Sequence, residues 1–348
     1  MTLTGPATRT LQIHPTRFCN LRCNHCYSSS GPEERGELGA PLLKPAIRDA
    51  VALGYNALTV SGGEPLLYAG LHAVCAEAHA RGMKVTLATN GTRLTPQRLV
   101  RLAGLVDMIA ISIDGVPERH NRIRRSPGAF EIMEQKLPLL ERSGIPFGVV
   151  FTLMRENLSE LEWAADFAAS HGAAMLQIHP LETSGRASKH LAGQALPQAH
   201  MATAWMIAEC LREIHREKLA IHFDALNWYA LPIEPADVGE WKEGLLRGER
   251  ALGEIVSPLV IETDGTVAPL RYGFARSLAF GNLRQFGLQE MADQWVRLRV
   301  SSFCHVYRTV LEEVRASDQS FANVCELLSA EALRELTSIA SVSSAMPQ

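Results

Sequence analysis

Cys19, Cys23 and Cys26 fall within eight residues, as Cys19-Asn-Leu-Arg-Cys23-Asn-His-Cys26. The spacing C-x3-C-x2-C lets three thiolates on one short loop converge on a single inorganic centre. A structural zinc site takes four ligands, and no fourth cysteine lies within 40 residues. His25 stands between the last two cysteines, a poor place from which to join the same tetrahedron. A [4Fe–4S] cube has four irons, so three cysteines leave one iron without a protein ligand. That open position is what a catalytic centre needs. Zinc or another metal, and three chance core thiols, are the alternatives the loop alone leaves open.

Other segments could also do chemistry. Ser61-Gly62-Gly63-Glu64-Pro65 joins two glycines, which let backbone approach a ligand closely, to a carboxylate suited to an ammonium group. Taken alone it reads as a strand-to-helix turn. Thr89-Asn90-Gly91 and Ser112-Ile-Asp114-Gly115 are similar short polar turns. Arg124 falls in a basic run with Arg119, Arg122 and Arg125, for which a solvated face is the bland explanation. A lone strand-end histidine such as His179 is more often structural than functional.

The elements that would position these residues alternate. Strands are predicted over Thr10–His14, Asn56–Ser61, Lys84–Ala88, Met108–Ile113, Phe147–Leu153 and Ala174–His179. Helices are predicted over Leu42–Leu53, Leu71–Arg81, Pro96–Ala103, Phe130–Arg142, Leu158–Ser170 and His200–Arg216. Such alternation implies parallel βα units, with apolar strands such as Val106–Ile113 suited to a sheet buried on both faces. Each unusual segment follows a strand, which puts them all on the rim that carries active sites in a parallel barrel. After about residue 217 the texture changes. Leu219–Phe223 reads as a strand. Pro258–Glu262 and Thr266–Leu270 flank Thr263-Asp264-Gly265, a hairpin signal. Helical patterns follow over Leu288–Val300 and Val306–Leu336, and 341–348 reads as a frayed tail. The expected division is 8–216, 217–340 and the tail.

Composition narrows the class. At roughly 150 residues per domain, 348 residues suggest about two domains. A hydrophobic share of 47% and a charged share of 20% suit a chain with a buried core. A net charge of −3 counts against a nucleic-acid partner. No apolar run reaches the roughly 20 residues of a membrane span. The opening MTLTGPATRT lacks a signal-peptide core, so a cytoplasmic location is expected. Seven cysteines are not a disulfide scaffold, and three clustered in a reducing compartment favour metal binding.

Together the cysteine loop and the segments behind it resemble the radical S-adenosylmethionine (SAM) superfamily, over roughly Leu11–Arg186. The resemblance implies a partial (β/α)6 TIM-like barrel of the α/β class. It implies one [4Fe–4S] cluster on Cys19, Cys23 and Cys26 whose open iron binds SAM. An external electron donor such as flavodoxin or ferredoxin is implied with it. His25 takes the position the family usually fills with an aromatic residue near adenine. Gly62, Gly63 and Glu64 match the segment that binds the SAM amino group, and Asn90 the third-strand turn. Ser112, Asp114 and Arg124 match the fourth-strand segment of peptide-modifying members, where Ser112 would meet the ribose and Arg124 the SAM carboxylate. Asn121 stands where those members carry Asp. Thr152, Gln177 and His179 are candidates to face SAM or substrate.

The segment from Pro258 to Leu283 resembles the start of a SPASM or twitch domain, a small α+β extension that carries auxiliary clusters. Leu270 replaces its first cysteine, and only Cys304 and Cys325 follow, too few for a four-thiolate cluster. A degenerate extension without auxiliary clusters is expected. Cys304 and Cys325 are then candidate hydrogen donors, and Cys75 and Cys210 core thiols. The expected substrate is the first of two, and the second is its alternative. One is a ribosomally made peptide, presented by a separate recognition protein because no such domain precedes the barrel. The other is a small metabolite such as a sugar, nucleoside or tetrapyrrole undergoing redox-neutral chemistry, with Arg122, Arg125 or Arg186 holding an anionic group.

Overall fold

The computed structural model describes residues 7–224, 226–227, 235–317 and 321–344. From residue 345 the expected tail lies outside the described residues. The first seven strands are β1 (Thr10–Ile13), β2 (Ala57–Val60), β3 (Lys84–Thr89), β4 (Met108–Ile113), β5 (Phe147–Leu153), β6 (Met175–Pro180) and β7 (Ala220–Phe223). Each pairs in parallel with the next. The helices between them are α1 (Ala40–Ala52), α2 (Leu71–Ala80), α3 (Pro96–Leu102), α4 (Pro117–Arg124), α5 (Ala129–Glu134), α6 (Leu137–Ser143), α7 (Leu161–Ser170), α8 (Ala187–His190) and α9 (Gln198–Ile214). The expected partial (β/α)6 barrel is therefore present, with β7 added at one edge.

Burial alternates residue by residue along β1, β3 and β6. This is the two-residue period of a strand. Leu11, Val85, Leu87, Leu176 and Ile178 point outward into the core under the helices. Gln12, Thr86, Ala88, Gln177 and His179 line a cavity on the inner face. The expectation of a sheet buried in apolar contact on both faces thus holds only outside. Inside, Thr59, Thr86, Ser112 and Thr152 share the cavity wall with Met108, Val150 and Met175.

The expected helix over Phe130–Arg142 is two helices, α5 and α6. Pro138 explains the break, since a proline fits the first turn of α6 and not a helix interior.

Two residues of β8 (Leu226–Asn227) precede α10 (Pro235–Leu246) and α11 (Leu252–Ile255). The predicted hairpin is β9 (Leu259–Ile261) and β10 (Thr266–Pro269), with β11 (Gly281–Asn282) beyond it. Its β9 pairs in parallel with β1, so among the described residues ten strands form one sheet. Thr263 Oγ1 donates to His14 O at 2.8 Å and fastens the turn to the cysteine loop's start. In α12 (Leu288–Leu298), Trp295 stacks on Phe280 at 4.4 Å and donates to Leu278 O. The long helix expected over Val306–Leu336 is α13 (Val300–Ala316) and α14 (Val324–Ser344), with β12 (Phe321–Ala322) between them pairing β8. Ser317 Oγ turns back to Val314 O, the local competition by which serine ends helices. Among the described residues no helix is long and apolar enough to cross a membrane.

Candidate active site

The link from β1 to α1 carries the three cysteines. Cys19 and Cys23 are buried and Cys26 half-buried, and all three line one cavity of about 580 Å³. Burial pushes the Cys19 and Cys23 thiols up to about 12. Three thiolates at this depth need a cationic centre to hold them, which is what a metal cluster supplies. Among the described residues no three His, Cys, Asp or Glu side chains close around a single ion.

Neighbouring strand ends clamp the loop. Gly63 N donates to Thr16 O at 2.7 Å, and Glu64 N to Phe18 O at 2.9 Å. A Cβ on Gly63 would stand 2.2 Å from Phe18 O, so only glycine fits between the two backbones. Gly62 has φ +106°. Both glycines line the cavity. Glu64 does not. Its carboxylate is fully buried and accepts from Leu66 N, Thr89 Oγ1 (2.6 Å) and Asn90 N (3.0 Å). Burial pushes its carboxyl up against those three bonds. The carboxylate expected to meet a ligand ammonium instead ties the end of β2 to the end of β3.

Asn90 lines the cavity, donates to Asn20 Oδ1 at 3.2 Å and lies 3.9 Å from Cys19 Sγ. Ser112 also lines it. Asp114 sits one layer behind, fully buried, with Arg124 Nε at 2.7 Å and His25 Nε2 at 3.1 Å. Burial alone would raise its carboxyl; Arg124 and His25 outweigh that and hold it well below the usual range. Arg124 and His25 are the members of this trio on the cavity wall. His120 is pushed down to about 3 by burial, and its neutral ring accepts from Asp114 N. The bland explanation of the basic run fails for Arg124, which is 5% exposed. It holds for Arg122, which pairs with Glu156 at the surface, while Arg119 is half-buried between Glu156 and Glu160. Asn121 caps α5 through Phe130 N and Glu131.

Thr152, Gln177 and His179 line the opposite wall. His179 Nδ1 lies 2.8 Å from Asp224 and Nε2 3.4 Å from Glu182, which also meets Arg271 at 3.0 Å. Burial alone would lower the imidazole; the two carboxylates bring it up to about 10.

Arg186, expected as a possible anion holder, is committed elsewhere. Its Nε donates to Cys23 O (2.8 Å) and its Nη2 to Ser30 O (2.6 Å). Its backbone N donates to Cys26 O. A Cβ on Gly185 would stand 2.1 Å from Tyr27 O. The Ser184-Gly185-Arg186 turn therefore clasps the cysteine loop from the far side. Its signal was a glycine and an arginine just past the sixth strand, the position all the other motifs share.

Neither candidate hydrogen donor reaches the cavity. Cys304 is packed in the core on α13, where burial raises its thiol. Cys325 on α14 is half-buried, raised by burial to about 11, and is not on the cavity wall. Cys75 is a core thiol as expected, but Cys210 is exposed on α9. Leu270, in place of the family's cysteine, is buried in the main core with φ +66°.

The radical SAM superfamily profile matches residues 13–168, from β1 into α7. An AdoMet-dependent heme synthase of Oleidesulfovibrio alaskensis is 30% identical over 341 residues, which cover 92% of this chain and 82% of that protein. The chain belongs to the radical SAM superfamily. An AdoMet-dependent heme synthase of Methanosarcina barkeri is 34% identical over 183 residues, and there the match spans about half of each protein, 52% of both. Among solved structures, Streptococcus suis SuiB bound to precursor peptide SuiA has the same radical SAM fold. Its TM-score is 0.65 at 12% identity, covering 85% of this chain and 66% of that one. The chain is accordingly a radical SAM enzyme, and the family implies an iron–sulfur cluster and SAM.

Proposed function

We propose that Cys19, Cys23 and Cys26 hold a single [4Fe–4S] cluster, and that SAM binds beside it in the cavity. When bound, the pair supplies a 5′-deoxyadenosyl radical that takes hydrogen from the substrate. The observation that carries this is the convergence of two buried thiols and a half-buried third, the Gly62-Gly63 turn and the buried Arg124 on one cavity. In this reading the Gly62-Gly63 backbone receives the SAM amino group, with Glu64 fixing the turn from behind. Arg124, charged and oriented by Asp114, takes the SAM carboxylate. His25, held by the same Asp114, lies against the adenine, and Ser112 and Asn90 complete that wall. Thr152 and His179 face the substrate half. Cys304 and Cys325 have no role in it. The segment 217–340 is read as a reduced SPASM-like extension of the barrel 8–216, with Leu270 in the core instead of a ligand position.

Arg186 is a positioning residue in this scheme. Arg186→Ala removes two hydrogen bonds from a charged donor, worth about 1.5–3 kcal/mol each, and takes the side-chain donor from the Cys23 and Ser30 carbonyls of the loop. The expected result is an unchanged circular dichroism spectrum with iron lost on desalting. Iron retention equal to the wild type would contradict the role.

For the substrate we propose a tetrapyrrole. The support is that the relative matched over 92% of this chain is named a heme synthase. A peptide is the second reading, favoured by the fold shared with a protein bound to a precursor peptide. The two separate in one assay. Reconstituted protein with SAM and a reductant should release 5′-deoxyadenosine faster when an iron porphyrin bearing propionate side chains is added. Acceleration by short peptides and not by the porphyrin would replace the first reading with the second.

A further inference from the structure

Many surface cations of this chain sit against carboxylates: Lys44, Arg48 and Arg81 share Glu77, and Arg119 and Arg122 share Glu156. Arg93, Arg98, Arg101 and Lys136 form a different kind of group. Among the described residues none of the four meets a carboxylate. Arg98 Nη1 donates to Arg93 O at 2.9 Å, and Lys136 Nζ donates to Thr92 O. Burial, then the nearby Arg93 and Arg98, push the Lys136 ammonium below its ordinary value, so these cations face one another. Arg98 and Arg101 reach, with His72, into a shallow pocket of about 240 Å³. Arg93 and Arg101 are exposed, so the patch is a basic surface.

Its position relative to the cysteines gives it meaning. Thr92 Oγ1 accepts from Asn20 Nδ2 at 2.9 Å, and Asn20 Oδ1 accepts from Asn90 Nδ2 at 3.2 Å. Asn90 Nδ2 is 3.9 Å from Cys19 Sγ. Asn20 is also the residue next to Cys19. The patch therefore lies on the outer side of the wall whose inner side carries Cys19. With SAM and substrate filling the cavity, an electron has to enter through such a wall.

We propose that this patch docks the protein that delivers electrons to the cluster: a small, acidic one-electron carrier with carboxylates around its redox centre. The inference rests on the cluster assignment made above. Charge complementarity chooses the partner. Four cations without carboxylate partners, on a chain of net charge −3, attract an acidic surface locally and not a polyanion along a whole face. Docking here brings the carrier to the Thr92–Asn20–Asn90 chain of hydrogen bonds that ends at Cys19. Steering of this kind acts on the association rate and fades with salt.

The test uses reconstituted holoenzyme and follows bleaching of the cluster absorbance in a stopped-flow instrument. Two reductants are compared, flavodoxin hydroquinone and photoreduced deazaflavin, a small molecule that needs no docking. The variants are Arg93→Glu/Arg98→Glu/Arg101→Glu and the milder Arg93→Gln/Arg101→Gln, which changes two exposed side chains only. Reduction by flavodoxin at low salt should slow about tenfold or more in the triple variant, less in the double, and the gap should close as salt rises. Reduction by deazaflavin should not change. Unchanged flavodoxin rates in both variants, or equal slowing with both reductants, would overturn the docking site. Wild-type protein that deazaflavin cannot bleach would overturn the cluster assignment itself.

Discussion

Arg124→Ala should destabilise the fold by about 3–5 kcal/mol, the cost of leaving a buried charge without its partner. Asp114 is fully buried and Arg124 nearly so, and they meet at 2.7 Å. A solvated arginine of the Arg119–Arg125 run would cost less than about 1 kcal/mol, so the magnitude decides between the two descriptions. The pH dependence has a definite sign. The Asp114 carboxyl is held below its unfolded value, so in the wild type its contribution is complete above the ordinary carboxylate range, near pH 4. It is lost only as pH falls through the lower folded value. Without Arg124 the largest influence that lowers this carboxyl is gone, and burial is opposed by His25 and His120 alone, so it rises from its wild-type value. The difference between variant and wild type should be full near neutrality and shrink as pH falls into and below the ordinary carboxylate range, near pH 4. Urea unfolding at pH 7 and at acid pH measures both. A loss under about 1 kcal/mol at pH 7 would return Arg124 to the solvated face.

Gly63→Ala should cost about 3 kcal/mol or more, at the upper end for overpacking, and should abolish iron incorporation. The added methyl would sit 2.2 Å from Phe18 O and 2.7 Å from Phe18 C. Both are backbone atoms and cannot swing aside. Relief has to come from parting Gly63 N from Thr16 O and Glu64 N from Phe18 O, the bonds that hold the start of the cysteine loop. Chemical denaturation and iron analysis read the two effects separately. A variant with normal iron content would show that the turn does not set the loop.

These two positions also show what the sequence could and could not reveal. The parallel strands were legible to within a residue or two because each is a short apolar run closed by a polar turn. The glycine pair, the cysteines and Arg124 were legible because each carries a constrained chemistry at a fixed place after a strand. Glu64 was not. The sequence shows a carboxylate beside two glycines but not that Thr89, Asn90 and Leu66 use up its oxygens. Asp114 was expected on the cavity and stands behind it: strand alternation would keep it on the face of Ser112, but β4 ends at Ile113 and the chain past it turns the carboxylate to Arg124 and His25. The clasp by Arg186 crosses 163 residues to Cys23, so the Gly185-Arg186 pair past β6 marks a position but not its partner. The break in the Val306–Leu336 helix was hidden because Ser317 and the polar residues after it fit a helix surface as well as a helix end.

The C-terminal segment answers a related question. Where the family pattern would place a cysteine, Leu270 enters the core, and Arg271 beside it bridges Glu182 and Ser184 across to the loop after β6. An apolar anchor and an ion pair hold the hairpin against the barrel.

The most direct test of the central claim is iron counting joined to SAM cleavage. Anaerobically reconstituted protein should bind about four irons per chain and, given SAM and dithionite, release 5′-deoxyadenosine. Changing Cys19, Cys23 and Cys26 together to alanine should abolish both. About eight irons in the wild type, or release that survives the triple substitution, would contradict a single cluster on these three cysteines.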